Sequence, residues 1–288
     1  MIFERHVPNS FASVILAAAV AALMAVLPAA AQQGTPAPGT FLGAVLISDN
    51  AQAASAFYAD LFGWDMEQAK DGGYAVRHKG QMIGGISPLR ESSEDVEKSF
   101  WLVGLKVEDV DRSLQIATEK KATIHEKVHR ISDYGRFGVI ADRQGAPLLL
   151  IEPGVKALAR TKGHGSWLWA ELWTDDVEDA AAFYANVIGV GHDTVDRNGG
   201  KYQVFTSQNE PRTGIIEIPA ELETVEPGWA PYVSVADLES SLARVKKLGG
   251  RVIFGEIEHP ADGSVALIMD PSGAVLFIYQ IGIREEAK

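Results

Sequence analysis

The sequence contains no cysteine among its 288 residues. Disulfide bonds, zinc–thiolate sites, iron–sulfur clusters and thiol nucleophiles are therefore excluded, and a metal ion could be bound only by His, Asp or Glu side chains. Basic residues are also scarce, because 26 Lys and Arg stand against 38 Asp and Glu and give a formal net charge of −12. This charge has the wrong sign for binding a polyanion through its phosphates, so we expect no nucleic-acid partner.

Long uncharged runs are absent except near the N-terminus, where Phe11–Ala31 follows a short segment with one arginine. This order is typical of a secretory signal peptide, and the three alanines that end the run predict cleavage before Gln32. The alternative is an uncleaved membrane anchor, because about 20 apolar residues can just span a bilayer. We expect a signal peptide over residues 1–31, a flexible linker over 32–40, and a mature protein that is periplasmic or secreted and has no membrane contact.

Internal repeats organise the rest of the chain. Phe57–Trp64 (FYADLFGW) recurs as Phe183–Val190 (FYANVIGV), and Asp142–Leu148 recurs as Asp270–Leu276 at nearly the same offset. Such a repeat predicts two domains joined by a linker and followed by a short tail. These segments are residues 41–152, 153–165, 166–282 and 283–288.

Each domain repeats once more within itself. Val107–Leu114 and Val235–Leu242 combine a strand end, an acidic residue and the start of an amphipathic helix, as Ser48–Asn50 and Thr174–Asp176 do before their own helices. Asp or Asn is favoured there because its side chain accepts hydrogen bonds from free N–H groups of the first helical turn. Three short strands complete each unit, so the sequence predicts an α+β protein of four βαβββ units.

This pattern resembles the vicinal oxygen chelate superfamily, which includes glyoxalase I, extradiol dioxygenases and bleomycin-resistance proteins. The similarity to this superfamily extends over residues 41–282. It consists of the strand, the capping acid, the helix ending in FYxxxxG and the closing D-P-x-G turn. The resemblance implies that each pair of units forms a half-open barrel domain around a cavity, in which function resides. Since the fold supports many activities, it does not by itself identify one of them.

The resemblance also implies where a metal ion would be bound, through a His in the first strand of a unit and a Glu in the last. In this sequence the corresponding positions fall on or near Gly43, Leu102, Leu149, Trp169, Ala230 and Phe277. None of these side chains is a metal ligand. We therefore expect no cofactor, with a divalent metal ion as the alternative.

The histidines do not form a metal-binding pattern. His125 and His129 are four residues apart, but they lie in a predicted strand, where we expect an exposed pair. His78 is likewise expected at the surface.

Two carboxylates are candidates for the second cavity. Glu171 lies two residues after Trp169 and hence on the same face of its strand, and Glu217 lies in a later strand of the same domain. Together in an apolar cup they would serve as catalytic acid and base, or as an incomplete cation site. The alternative is that Glu171 pairs with an arginine, such as Arg212 or Arg251, and that Glu217 is solvated at a strand end.

Aromatic residues indicate the type of ligand. Four of them lie on strands that we expect to line the second cavity: Trp169, Tyr202, Tyr232 and Phe277. An aromatic concavity with few polar groups is typical of a small-molecule site, although ordinary core packing is the alternative. The first domain has Val45 where the second has Glu171, so we expect the two cavities to differ.

Three functions remain open on this evidence. The first is a metal-free module, monomeric or homodimeric, that binds a small apolar or aromatic molecule. The second is a lyase, isomerase or dioxygenase of the same superfamily that uses Glu171 and Glu217, with or without a cation. The third is a structural or interaction protein whose cavities are filled by side chains.

Overall fold

The structure, a computed structural model, describes residues 36–89, 99–156, 158, 160–197, 200–219, 225–259 and 263–282. The predicted signal peptide, residues 32–35 of the predicted linker and the C-terminal tail lie outside these residues. Within the described ranges, no helix is both long enough and apolar enough to cross a membrane.

Two mixed eight-stranded sheets form the described chain. The first sheet has the spatial order β2, β3, β4, β1, β5, β8, β7, β6, and the second repeats it as β10, β11, β12, β9, β13, β16, β15, β14. The strands of the first sheet are β1 (Phe41–Ser48), β2 (Asp65–Gln68), β3 (Tyr74–His78), β4 (Gln81–Pro88), β5 (Phe100–Lys106), β6 (Thr123–Ile131), β7 (Gly135–Ala141) and β8 (Pro147–Pro153). Those of the second are β9 (Trp167–Thr174), β10 (Gly191–Arg197), β11 (Gly200–Ser207), β12 (Glu210–Glu217), β13 (Gly228–Val235), β14 (Arg251–His259), β15 (Gly263–Met269) and β16 (Val275–Ile281).

One helix follows the first strand of every unit. The helices are α1 (Ala51–Phe62), α2 (Val110–Glu119), α3 (Val177–Tyr184), which continues as a π-helical turn over Ala185–Gly189, and α4 (Leu238–Lys247). Their N-cap side chains, from Asn50, Asp109, Asp176 and Asp237, each accept a hydrogen bond from the backbone N–H three residues later. The four predicted βαβββ units and their caps are therefore confirmed, and each domain pairs two units through the antiparallel strands β1 and β5 or β9 and β13.

The helices pack on one face of the sheets, where both domains contribute to a single buried core. At its centre the Trp167 ring lies 5.6 Å from Phe41, 5.1 Å from Trp64 and 5.4 Å from Trp101, measured between ring centroids. The Trp167 indole also donates to the Ile83 carbonyl at 2.8 Å. Because Trp167 belongs to the second domain and these partners to the first, the domains share a core.

A β-bulge in β9 decides which aromatic side chains face the helices. Trp169 pairs with Tyr232 and Trp167 pairs with Val233, so Leu168 is an extra residue in its strand. A bulge breaks the alternation of side chains, and Trp167 and Trp169 consequently belong to clusters on opposite faces of the sheet. Trp169 is thereby turned away from the shared core.

Candidate functional site

The face of the second sheet opposite the helices carries a buried cluster of aromatic side chains, which we call the aromatic cup. Its members are Trp169 and Trp173 from β9, Tyr202 from β11, Tyr232 from β13, and Phe277 and Tyr279 from β16. Tyr232 and Phe277 stack with centroids 4.4 Å apart, and Trp173 stacks on Phe277 at 6.1 Å. The structure thus brings together all four aromatic residues singled out from the sequence, and it adds Trp173 and Tyr279.

Glu171 is the polar centre of the aromatic cup, with 0% of its surface exposed. The Tyr202 hydroxyl donates to Oε1 at 2.5 Å, while the Tyr232 hydroxyl and the Trp173 indole donate to Oε2 at 3.0 and 3.1 Å. The Trp169 indole in turn donates to the Tyr202 hydroxyl oxygen at 3.2 Å. The carboxylate is therefore held by neutral donors from three neighbouring side chains.

Burial sets the protonation of this carboxylate. Desolvation raises the pKa of Glu171 from 4.5 to about 7, although the hydrogen bonds from Tyr202, Tyr232 and Trp173 oppose the shift. No lysine or arginine in the described part of the chain forms an ion pair with it. The alternative, a pairing of Glu171 with Arg212 or Arg251, is not found among the described ion pairs, and the Arg212 guanidinium donates to the Ser207 carbonyl.

Two small residues flank Glu171 on the neighbouring strands, Gly214 on β12 and Ala230 on β13. A Cβ atom at Gly214 would lie 1.8 Å from the Tyr202 hydroxyl oxygen. A glycine is therefore required for this hydroxyl to reach Glu171. Sequence reasoning missed Gly214, because its role depends on a contact between strands.

Glu217 does not join this site. In the pairing of β12 with β9, Gly214 lies beside Glu171 and Glu217 lies beside Thr174. Glu217 is therefore displaced from Glu171 by three residues along the strands, which is an odd number. Successive side chains of a strand alternate between the faces, which places Glu217 on the face opposite to Glu171, where it is exposed. The expected pair of carboxylates in one cup is thereby corrected.

The corresponding face of the first domain is mainly aliphatic, although half-buried Phe100 and Phe137 also pack on it. Its buried residues are Leu42, Leu102, Leu149 and Ile151, and half-buried Val45 packs against them where the second domain has Glu171. Leu158, from the segment between the domains, packs on the same cluster, and its Cδ1 lies 3.1 Å from the place of a Cβ atom on Gly43. The two faces differ as expected, and the first is covered by the linker.

Among the residues that the structure describes, the positions expected to bind a divalent metal ion do not carry ligand side chains. Tyr232 is paired with Trp169 and with Phe277 on the two neighbouring strands, and Gly104 is paired in the same way with Gly43 and Leu149. These are positions at or beside those where the family resemblance implies metal ligands, and none of them carries an imidazole or a carboxylate. The described residues also contain no group of three or more His, Asp or Glu side chains that could hold one ion. The single carboxylate of the aromatic cup already accepts three hydrogen bonds.

Comparisons with known proteins agree with this architecture. The family model of the Glyoxalase/Bleomycin resistance protein/Dioxygenase superfamily matches residues 41–150 and again residues 167–277. The chain is 28% identical over 236 residues to "Putative glyoxylase CFP32" of Mycobacterium bovis, covering 78% of this chain and 88% of the relative. It is 27% identical over 261 residues to "Anthracycline biosynthesis protein DauV" of Streptomyces sp. strain C5, covering 85% of this chain and 94% of the relative.

Among solved structures, the Mn(II)-bound glyoxalase from Novosphingobium aromaticivorans is similar with a TM-score of 0.61. The match covers 85% of this chain and 82% of that one at 14% identity, a level at which the likeness concerns the fold alone. The two family matches, the repeated units and the two sheets lead to the same conclusion. The chain belongs to the Glyoxalase/Bleomycin resistance protein/Dioxygenase superfamily, as a member with two such domains in tandem.

Proposed function

We propose that this protein binds a small aromatic molecule in the aromatic cup of its second domain, without a metal ion. The buried carboxylate of Glu171 is the observation that carries the proposal. Burying a charged group is costly, and a shifted pKa among apolar side chains is a physical sign of a functional site. A residue that only filled the core would be apolar, as Val45 is at the matching place in the first domain.

The surroundings of Glu171 support an aromatic ligand. The rings of Trp173, Phe277 and Tyr232 stack in one row beside Glu171, and aromatic rings of this kind are favourable packing partners for a planar molecule. Half-buried apolar side chains border the cup, among them Ile216, Ala230, Phe254 and Leu267. Pockets for small molecules are typically apolar with a few polar groups that fix orientation, and Glu171 would be that group.

Two further observations favour the second domain and this class of ligand. On the described part of this face the first domain has no carboxylate and only two half-buried aromatic rings, Phe100 and Phe137, and Leu158 packs against its aliphatic cluster. One relative is named for anthracycline biosynthesis, and anthracyclines contain fused aromatic rings.

Fluorescence titration with N-phenyl-1-naphthylamine, a neutral aromatic probe, tests the proposal in protein treated with a chelator. We expect saturable binding of one probe per chain, weakened at least tenfold in Trp173→Ala because the variant removes one face of the stack. Ile47→Ala is the matched control, since Ile47 occupies the corresponding position in the first domain, and it should leave binding unchanged. Absence of saturable binding would support a cup filled by its own side chains and contradict the proposal.

We further propose that the protein meets its ligand outside the cytoplasm, after cleavage before Gln32. The support is the uncharged run Phe11–Ala31 and the small residues that end it. Intact-mass measurement of the full-length protein expressed in a bacterial host should show the loss of residues 1–31. A full-length product that sediments with membranes would contradict cleavage and favour an anchor.

A further inference from the structure

Glu171 carries a negative charge, when ionised, that no positive side chain of the described residues balances. The residues packed around its carboxylate are Trp173 on its own strand, Tyr202 on β11, Gly214 on β12, and Ala230 and Tyr232 on β13. None of them is basic, and Glu171 forms no ion pair with the described lysines and arginines. Buried charges in proteins are normally paired, so the part of the protein that the structure describes does not supply the compensating cation.

The aromatic rings around this carboxylate favour the same sign of charge. The face of an aromatic ring is electron-rich and attracts cations, most strongly for Trp and also for Tyr and Phe. Here the rings of Trp173, Phe277 and Tyr232 stack in one row beside Glu171. Aromatic cages that bind quaternary ammonium groups use the same attraction.

The hydrogen-bonding capacity of Glu171 is not exhausted. A carboxylate has about four acceptor positions on its two oxygens. Oε2 accepts from Trp173 and Tyr232, whereas Oε1 accepts from Tyr202 alone among the described side chains. One acceptor position on Oε1 is therefore left for an N–H group of a ligand.

We propose that the ligand of the aromatic cup is an organic cation, a protonated amine attached to an aromatic ring system, with its ammonium group at Glu171. This inference rests on the proposed function, because it names the chemical class of the molecule bound at the same site. The net charge of −12 is consistent with it, since a negative protein attracts cationic ligands.

A set of three naphthalene derivatives tests this inference by displacement of N-phenyl-1-naphthylamine at pH 8. The compounds are 2-naphthylmethylamine, which is cationic, 2-naphthylmethanol, which is neutral, and 2-naphthoate, which is anionic. We expect the amine to bind about tenfold or more tightly than the alcohol, and the naphthoate to bind most weakly, because only the amine brings a positive charge to offset the buried carboxylate of Glu171.

The variant Glu171→Gln identifies the residue that recognises the charge. Each compound is compared with the variant's own affinity for N-phenyl-1-naphthylamine, whatever that affinity is, and we expect the preference for the amine over the alcohol to be lost. In the wild-type protein the affinity for the amine should rise from pH 6 to pH 8, because Glu171 loses its proton in this range, while the affinity for the alcohol stays constant. The other titratable groups facing Glu171 are phenols, which ordinarily titrate near pH 10 and so do not contribute.

The possible results separate the inference from the proposed function. If the fluorescent probe binds and the amine has no advantage over the alcohol, the cationic ligand is ruled out while the aromatic site stands. An amine advantage that survives in Glu171→Gln also overturns the inference, because another group then recognises the charge. If neither the probe nor any of the three compounds binds, the proposed function itself fails.

Discussion

Glu171 links the stability of the protein to pH. Its pKa is raised from 4.5 to about 7, so between these values the folded protein holds a proton that the unfolded chain releases. The free energy of unfolding therefore falls as pH rises through this window and levels off above it. At about 1.4 kcal/mol per pKa unit, the loss amounts to roughly 3 kcal/mol.

Urea denaturation of the wild-type protein and of Glu171→Gln, at intervals from pH 4.5 to 8, measures this loss. We expect the variant to gain stability relative to the wild type by roughly 3 kcal/mol across the series, because the amide that replaces the carboxyl group cannot ionise. Burial also raises the pKa of Asp142, so the stability of the wild-type protein changes with pH for a second reason. Comparison with the variant isolates the contribution of Glu171, because Asp142 is present in both proteins. Two parallel profiles would show that Glu171 is not buried as described.

Gly214 positions Tyr202 against the carboxylate. In Gly214→Ala the new Cβ atom would lie 1.8 Å from the Tyr202 hydroxyl oxygen, so the tyrosine must move away from Glu171. We expect binding of N-phenyl-1-naphthylamine to weaken about tenfold and the free energy of unfolding to fall by about 1–3 kcal/mol, the cost of a disturbed buried hydrogen bond.

Gly85→Ala is the control for Gly214→Ala. Gly85 pairs with Val45 as Gly214 pairs with Glu171, and the nearest atom to its added Cβ is the Tyr74 carbonyl oxygen at 3.2 Å. In titration and urea denaturation of the two variants side by side, only Gly214→Ala should affect the site of the second domain. An equal loss of probe binding in both would contradict a site at Glu171.

At the scale of secondary structure, the elements could be predicted because their signals are local. Asp109 and Asp237 each precede an amphipathic run, and both cap the helix that follows. The strand register could not be predicted, because it depends on pairing between distant segments. Glu217 lies on the other face of the sheet for this reason, and the bulge at Leu168 separates two tryptophans that simple alternation places together.

The burial of His78 also depends on a contact between distant segments and could not be predicted from the local sequence. The sequence predicts it at the surface, but only 5% of it is exposed and its Nδ1 atom lies 2.8 Å from the Thr161 hydroxyl. Thr161 belongs to the segment between the domains, which covers the end of β3. His125 and His129, whose surroundings are local to one edge strand, are exposed as predicted.

Helix α3 offers a test of capping with a control at the adjacent residue. The Asp176 side chain accepts a hydrogen bond from the backbone N–H of Asp179 at 3.0 Å. Asp176→Ala should lower the free energy of unfolding by about 1 kcal/mol, while Asp175→Ala, which removes an exposed neighbouring carboxylate, should change it by less than about half of that. Equal losses in urea denaturation would show that charge, rather than capping, is responsible.

At the scale of the whole molecule, we expect the shared core to make the two domains unfold as one cooperative unit. Trp167 packs on Phe41, Trp64 and Trp101 of the first domain. Trp167→Ala should therefore lower the free energy of unfolding by about 3–5 kcal/mol and still give a single transition. Differential scanning calorimetry checks this, with Trp167→Phe as a milder control, and two separate transitions would contradict a common core.

The architecture and the aromatic character of the site could both be predicted from repeats and composition. The arrangement of donors around Glu171 could not, because Tyr202, Tyr232 and Trp173 reach it from three strands whose register no local pattern reveals. The covering of the first domain by Leu158 is likewise a contact between distant segments. The proposed site thus depends on contacts between distant strands, which no local sequence pattern reveals.

The metal dependence of probe binding tests the central claim most directly. Protein stripped with a chelator is titrated with N-phenyl-1-naphthylamine, first alone and then with added Mn²⁺. The aromatic cup around Glu171 predicts one saturable site per chain in the stripped protein, with an affinity that Mn²⁺ does not change. Binding that is absent from the stripped protein and restored by Mn²⁺ would contradict a metal-free ligand site.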